Sequence, residues 1–152
     1  MNEILQPKIT SFSGEYEFLS NFYYCPIEFD GVIWSTLEHA YQAAKTNIHE
    51  ERMLILSCKT PGKAKRIGRK LTLRSDWETI KISMMCYLIY KKFPKNSDLM
   101  TKLTSTHGHF LIEGNYHHDN FWGDCYCPKC VNITGQNYHG SILMDVRELL
   151  LS

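Results

Sequence analysis

The clearest alternation of apolar and polar positions lies between residues 26 and 34. Pro26-Ile27-Glu28-Phe29 alternates with period two, Asp30-Gly31 follows, and Val32-Ile33-Trp34 returns. This pattern predicts an antiparallel hairpin closed by a two-residue turn. Ahead of it, the residues before Lys8 read as a loose end and Ile9–Phe12 as a short strand. Gly14 and the aromatic-rich loop Glu17-Phe18-Leu19-Ser20-Asn21-Phe22 lead into the hairpin. Behind it the period becomes helical over Thr36–Lys45, then again over His49–Cys58 through Met53, Leu54 and Leu56. Thr60-Pro61-Gly62 starts a further helix, with Thr60 as N-cap and Pro61 at the first helical position. Ser75 and Glu78 have capping-box spacing and open a long helix through Trp77, Ile80, Met84, Tyr87, Leu88 and Lys91 to Phe93, with Pro94 beyond its end. Ser97–Leu103 predicts a short helix, Phe110–Ile112 a buried strand and Ser141–Leu151 an amphipathic closing helix. Between them, Gly114–Gly123 is a polar and aromatic loop suited to function, and Cys125–Gly140 is irregular. No repeat or low-complexity linker interrupts the chain. The expectation is an α+β fold, a predominantly helical single domain over residues 1–152 with a small β-sheet.

One helical segment spends its polar residues unusually. Glu38, Gln42 and Lys45 stand at i, i+4 and i+7 in Thr36–Lys45 and share one face. A carboxylate, an amide and an amine in a row are ingredients of acid–base or amine-nucleophile chemistry. Spacing alone leaves a second reading, because Ser35-Thr36-Leu37-Glu38 also fits a capping box.

Composition narrows the function classes. With 152 residues the chain can bury a core of its own, and no apolar run is long enough to span a membrane. The N-terminal run Met-Asn-Glu-Ile-Leu-Gln-Pro-Lys has neither the charged start nor the apolar stretch of a signal peptide, so a cytoplasmic protein with mostly reduced cysteines is expected. A net charge of +1 argues against a dedicated polyelectrolyte binder. Yet Lys59, Lys63, Lys65, Arg66, Arg69, Lys70 and Arg74 occupy 59–74 without an acidic residue. Such a block suits a diphosphate or a nucleic-acid backbone, or it is a basic surface helix.

Several separated segments together resemble the NADAR family, also called YbiA-like. They are Phe18-Leu19-Ser20-Asn21-Phe22, Asp30-Gly31 leading to Trp34 and Thr36-Leu37-Glu38-His39, Gln42-Ala43-Ala44-Lys45, and Gly68-Arg69. Trp77 with Met84 or Met85, Lys92-Phe93, Glu113, Asp119, Trp122-Gly123, Gly135-Gln136-Asn137, and Leu143-Met144 with Arg147 continue the series. Each piece is weak; the ordered set, spanning nearly the whole chain, is specific. The resemblance implies N-glycosidase chemistry on a ribosyl group that carries phosphate. The family is associated with ADP-ribose on guanine in nucleic acid and with a phosphoribosylamino-pyrimidine intermediate of riboflavin synthesis. Ala40 and His139 depart from the family pattern, which bears on substrate preference more than on reaction type.

Breaking an N-glycosidic bond builds positive charge on the sugar and negative charge on the leaving base. Glu38 and Asp119 are the candidate carboxylates, able to divide acid and base roles. Lys45 is the candidate nucleophile, attacking C1′ and passing through a Schiff base, which requires its amine to be desolvated or close to another cation. The competing role for Lys45 is a permanent cation that pairs with Glu38 or binds phosphate. Phe22, Trp77 and Trp122 are candidates to stack on a base, though each also suits a core. Ser20, Asn21 and Asn137 are candidates for ribose hydroxyls, and Arg69 for phosphate. Substrate is thus a ribosyl-phosphate or ADP-ribosyl compound, with DNA as a carrier; no cofactor, membrane or protein partner is expected. The rival from another class is a non-catalytic module that binds NAD or ADP-ribose.

Cys125, Cys127 and Cys130 form C-x-C-x-x-C, which looks like half of a zinc knuckle, with His117, His118 and His139 as candidate fourth ligands. No second ligand pair at fixed spacing accompanies them, so the leading expectation is no metal and reduced cysteines in a loop.

Overall fold

Asp30 and Gly31 adopt φ of 51° and 76°, the left-handed pair that a two-residue hairpin turn requires. Gly31 N–H also donates to Glu28 Oε1 at 2.8 Å. In chain order the elements are β1 (Lys8–Ile9), a 3-10 turn (Gly14–Leu19), β2 (Tyr24–Phe29), β3 (Val32–Thr36), α1 (Leu37–Ala44), α2 (His49–Ser57), α3 (Pro61–Gly68), α4 (Trp77–Lys92), α5 (Asp98–Thr104), β4 (Phe110–Leu111), β5 (Gly114–Asn115), β6 (Asp124–Cys125), a 3-10 turn (Pro128–Cys130) and α6 (Tyr138–Leu151). The computed structural model describes residues 6–152, and residues 1–5 of the expected loose end lie outside them. The described residues form two compact units, residues 21–92 and residues 6–20 with 93–152. The architecture is α+β and mostly helical, with three two-stranded pairings among the described residues.

In the unit of residues 21–92, β2 and β3 pair antiparallel with Ile27 opposite Trp34 and Phe29 opposite Val32. The ladder is irregular between Tyr24 and Ile27, where Pro26 has no N–H to give. Ile27, Phe29 and Trp34 are buried, and Trp34 Nε1 donates to Phe29 O at 3.1 Å. The hairpin runs directly into α1. Thr36 is extended and its Oγ1 accepts from His39 N at 3.2 Å, so Thr36 is the N-cap and the Ser35–Glu38 capping-box reading does not hold. His39 Nε2 lies 2.9 Å from Cys58 O and Nδ1 lies 2.7 Å from Thr36 Oγ1. A carbonyl only accepts, so Nε2 carries the proton and Nδ1 receives the Thr36 hydroxyl. Every residue of α1 is buried. Ala40, Ala43 and Ala44 let α2, α3 and α4 pack closely around it. Leu37, Ile55, Met85, Leu88 and Ile89 complete the core, each contributing roughly 1.5–3 kcal/mol by burial.

In the other unit, β1 and β4 pair in parallel, Ile9 opposite Leu111. The α6 helix packs on β4 and on α5. Arg147 Nη1 donates to Thr106 O, Thr106 Oγ1 and His109 O at 2.9–3.0 Å, tying α6 to the end of α5. Asn137, left-handed at φ 54°, donates from Nδ2 to Leu111 O and accepts Glu113 N at Oδ1, both at 2.9 Å. This clasp starts α6 three residues ahead of the predicted Ser141. The predicted strand Ile9–Phe12 is instead Lys8–Ile9, and β5 with β6 form a parallel pair inside the segment expected to be loop.

Candidate active site

The polar stripe of α1 is buried and internally bonded. Glu38 is 6% exposed and Gln42 3%, and Gln42 Nε2 donates to Glu38 Oε1 at 2.7 Å. A carboxylate only accepts, so this bond fixes the amide orientation. Gln42 Oε1 is thereby turned toward Gly68 of α3, where an added Cβ would lie 1.9 Å from it. Gln42 Oε1 is buried with no protein donor, and so is Asn21 Oδ1. Asn21 also lies against this helix, its carbonyl accepting Glu38 N at 3.1 Å. Buried acceptors without a protein donor are rare in folded proteins.

Lys45 ends the stripe, with Nζ 5.5 Å from the centroid of the Tyr41 ring. Burial pushes its ammonium below the usual lysine range; Glu38 opposes this, while Lys65, Arg69 and Lys81 reinforce it. Both conditions for an amine nucleophile, desolvation and neighbouring cations, thus hold at one residue. Lys45 O accepts Arg74 N at 2.8 Å, joining α1 to the basic segment. That segment is organised by α3: Thr60 Oγ1 accepts Lys63 N at 3.2 Å, and Pro61 opens the helix. Arg69 is the exposed C-cap residue of α3.

The aromatic candidates differ in what they offer. Phe22 is 44% exposed, with Lys65 Nζ 5.9 Å from its ring centroid. Trp77 is only 4% exposed and packs on Tyr41, ring centroids 5.3 Å apart. Trp77 therefore stiffens the Tyr41 wall beside Lys45.

Ser20, Asp119, Trp122 and Asn137 belong to the other unit. Ser20 follows the first 3-10 turn and donates its N–H to Glu17 O at 2.9 Å. Asp119 Oδ1 accepts Phe121 N at 3.1 Å and Trp122 N at 2.9 Å, an Asx-type turn. Trp122 is half-buried and meets Phe121 edge-to-face at 4.8 Å. Both amide atoms of Asn137 are occupied by its backbone clasp.

Sequence reasoning missed Lys92 as a chemical group. It is 2% exposed, its Nζ lies 5.6 Å from the Tyr23 ring centroid, and burial pushes its pKa down to about 7, with Cys25 opposing. Its helix ends in Lys91-Lys92, a pair that reads as a solvated end; only the packing shows that the second lysine is inside. His139 is also buried, with Nδ1 3.2 Å from Glu113 Oε2 and its ring edge-on to Phe12. The imidazole at this departure from the family pattern is thus built into the core.

The NADAR domain model matches residues 10–151. N-glycosidase YbiA of Escherichia coli (strain K12) is 34% identical over 155 residues, covering 99% of this chain and 93% of that protein. A riboflavin biosynthesis protein of Vibrio vulnificus (strain YJ016) is 35% identical over 135 residues, covering 88% of this chain and 35% of that protein. The NMR structure of the E. coli protein YbiA superposes with a TM-score of 0.79 at 33% identity, covering 97% of this chain and 87% of that one. By sequence and by fold, this chain belongs to the NADAR domain family and is an enzyme of the N-glycosidase class.

Proposed function

We propose that this enzyme hydrolyses the N-ribosyl bond of a phosphate-bearing ribosyl adduct through covalent attack by Lys45, and that its substrate is ADP-ribose linked to guanine in nucleic acid. The observation that carries the reading is the Lys45 amine, held below its ordinary pKa by burial and by Lys65, Arg69 and Lys81, with Glu38 acting on it from the same helix face. Neutral Lys45 attacks C1′ as the C1′–N bond breaks, and the bonding pair leaves with the base, which takes up a proton. Glu38, oriented by Gln42, stabilises the positive charge on the sugar and receives the proton released from the attacking amine. Glu38 passes that proton to the ring oxygen as the C1′–O4′ bond breaks, and ring opening leaves an iminium between Lys45 and C1′. Water adds to C1′, the amine departs and the free sugar recloses. Arg69 grips phosphate and Phe22 stacks on a base, while Gln42 holds Glu38 in place from the same helix. The phosphoribosylamino-pyrimidine is the second substrate, supported by the riboflavin biosynthesis relative.

The test is base release, followed by mass spectrometry, from an oligonucleotide carrying ADP-ribosyl-guanine. The wild type should release ADP-ribose, and Glu38→Gln should be slower by about 10²- to 10⁴-fold. Borohydride during turnover should trap a sugar adduct on Lys45. Release without an adduct refutes the Schiff base and leaves hydrolysis standing. Release only from the pyrimidine substrate reassigns the substrate, and no release from either favours the ADP-ribose-binding module.

A further inference from the structure

Four side chains of the loop between β5 and α6 converge although the glycosidase chemistry uses none of them. The Nδ1 of His118 lies 3.3 Å from Cys127 Sγ and 3.4 Å from Cys130 Sγ. With Cys125 Sγ, the four ligand atoms lie within 4.8 Å of one another. The three thiols are 2%, 8% and 5% exposed and carry no disulfide.

We propose that His118, Cys125, Cys127 and Cys130 bind one zinc ion in a closed, tetrahedral, structural site. Zn–S bonds of about 2.3 Å and a Zn–N bond of about 2.0–2.1 Å give S···N edges of roughly 3.5 Å and S···S edges of roughly 3.8 Å. The two S···N separations of 3.3 and 3.4 Å are already within about 0.2 Å of those edges, and all four ligand atoms lie within 4.8 Å of one another, so small side-chain adjustments close the cage. A disulfide would instead bring two sulfurs to about 2.0 Å and orphan the third thiol and the imidazole.

The backbone is arranged for the same end. Pro128 opens a 3-10 turn that closes with Cys130 N donating to Cys127 O at 3.0 Å, bringing the two sulfurs to one side. His118 N donates to Cys125 Sγ at 3.3 Å, a bond that favours a thiolate. Asn120 Oδ1 accepts Cys125 N at 2.9 Å. His118 itself sits at φ +69°, a conformation that costs energy outside glycine and persists where its surroundings hold it.

The loop is held by hydrogen bonds and a few aromatic contacts rather than by an apolar core. Tyr116, Tyr126, Val131 and Ile133 are all exposed, and its regular structure is a two-residue strand and a three-residue turn. Three thiols close to an imidazole are a poor substitute for an apolar core, but they are a good ligand set for a borderline-soft cation. Zinc binding would release the three thiol protons to solvent and cross-link residues 118–130. Asp119, one residue from His118, would be fixed with them. Of the three histidines the sequence offered as fourth ligand, packing selects His118; His139 lies against Glu113 instead.

The full chain, purified under reducing conditions without chelator, should carry one zinc per molecule by elemental analysis. The stripped protein should take up one equivalent of Co2+, giving the intense visible bands of a tetrahedral site and a thiolate-to-cobalt charge-transfer band, both displaced by Zn2+. Cys127→Ser and His118→Ala should lose the charge-transfer band or the stoichiometry, whereas Cys86→Ser, at an exposed thiol outside the cluster, should retain both. Should the cluster variants fail to fold, the wild-type cobalt spectrum and the zinc-dependent protection of three thiols from alkylation decide alone. Weak octahedral bands, substoichiometric uptake, or a cluster recovered as a disulfide with no metal would overturn the site. None of these outcomes depends on the glycosidase substrate.

Discussion

Two lysines of the 21–92 unit are pushed toward neutrality by burial, and they make opposite predictions. For Lys45 the neutral amine is the reactive form, so the turnover number should rise with pH through its lowered pKa and level off before the 10.5 of an ordinary lysine. Lys45→Arg keeps the charge but cannot deprotonate, and should lose activity by about 10³-fold or more while its residual rate no longer follows that limb. A parallel pH profile in Lys45→Arg would assign the titration elsewhere. Lys92 concerns stability instead. Its folded pKa is near 7 and its unfolded one near 10.4, so between those values the unfolded chain holds a proton that the folded one does not. Stability conferred at this position therefore increases from pH 7 toward pH 10 and is lowest below 7. Lys92→Met should flatten that rise in urea melts across the same window, and an unchanged slope would show that Lys92 keeps its charge in the fold.

At the scale of elements, the site depends on how closely α3 approaches α1. A Cβ on Gly68 would meet Gln42 Oε1 at 1.9 Å, and the atom in the way is the tip of a side chain. Gly68→Ala should therefore be accommodated by displacing Gln42 at a cost of about 1–3 kcal/mol in stability. The displaced amide can no longer orient Glu38, so activity should fall by about 10-fold or more; comparing melting temperature with turnover separates the two effects. This contact also shows what a sequence can and cannot reveal. The hairpin, the Thr60 cap, and the stripe of Glu38, Gln42 and Lys45 were legible because each is written in residues a turn or two apart. The cap at Thr36 in place of Ser35 was ambiguous because both hydroxyls precede the same helix, and only the β3 exit geometry decides. The pairing of β5 with β6 leaves no periodic signal in two-residue strands. The burial of Lys92 and the choice of His118 over His117 and His139 are tertiary facts, made by contacts between residues far apart in the chain or by the path of a loop.

For the molecule as a whole, charge is balanced in sum and concentrated in place. Seventeen lysines and arginines oppose sixteen acidic residues, yet the segment from Lys59 to Arg74 is basic throughout. Within it Arg66 and Lys70 are exposed and lie outside the proposed catalytic set, so they can report on the carrier of the substrate. If that carrier is nucleic acid, each phosphate neutralised should add about −0.7 (single strand) to −0.9 (duplex) to the slope of log(kcat/KM) against log salt. Release from an ADP-ribosylated oligonucleotide should then be clearly steeper in salt than release from ADP-ribosyl-guanosine. Arg66→Gln combined with Lys70→Gln should reduce the first slope and leave the second unchanged. Equal slopes for the two substrates, both insensitive to these substitutions, would confine the basic segment to the diphosphate and make the natural substrate a small molecule. The near-neutral total keeps either slope modest, because the rest of the surface adds no general attraction for a polyanion.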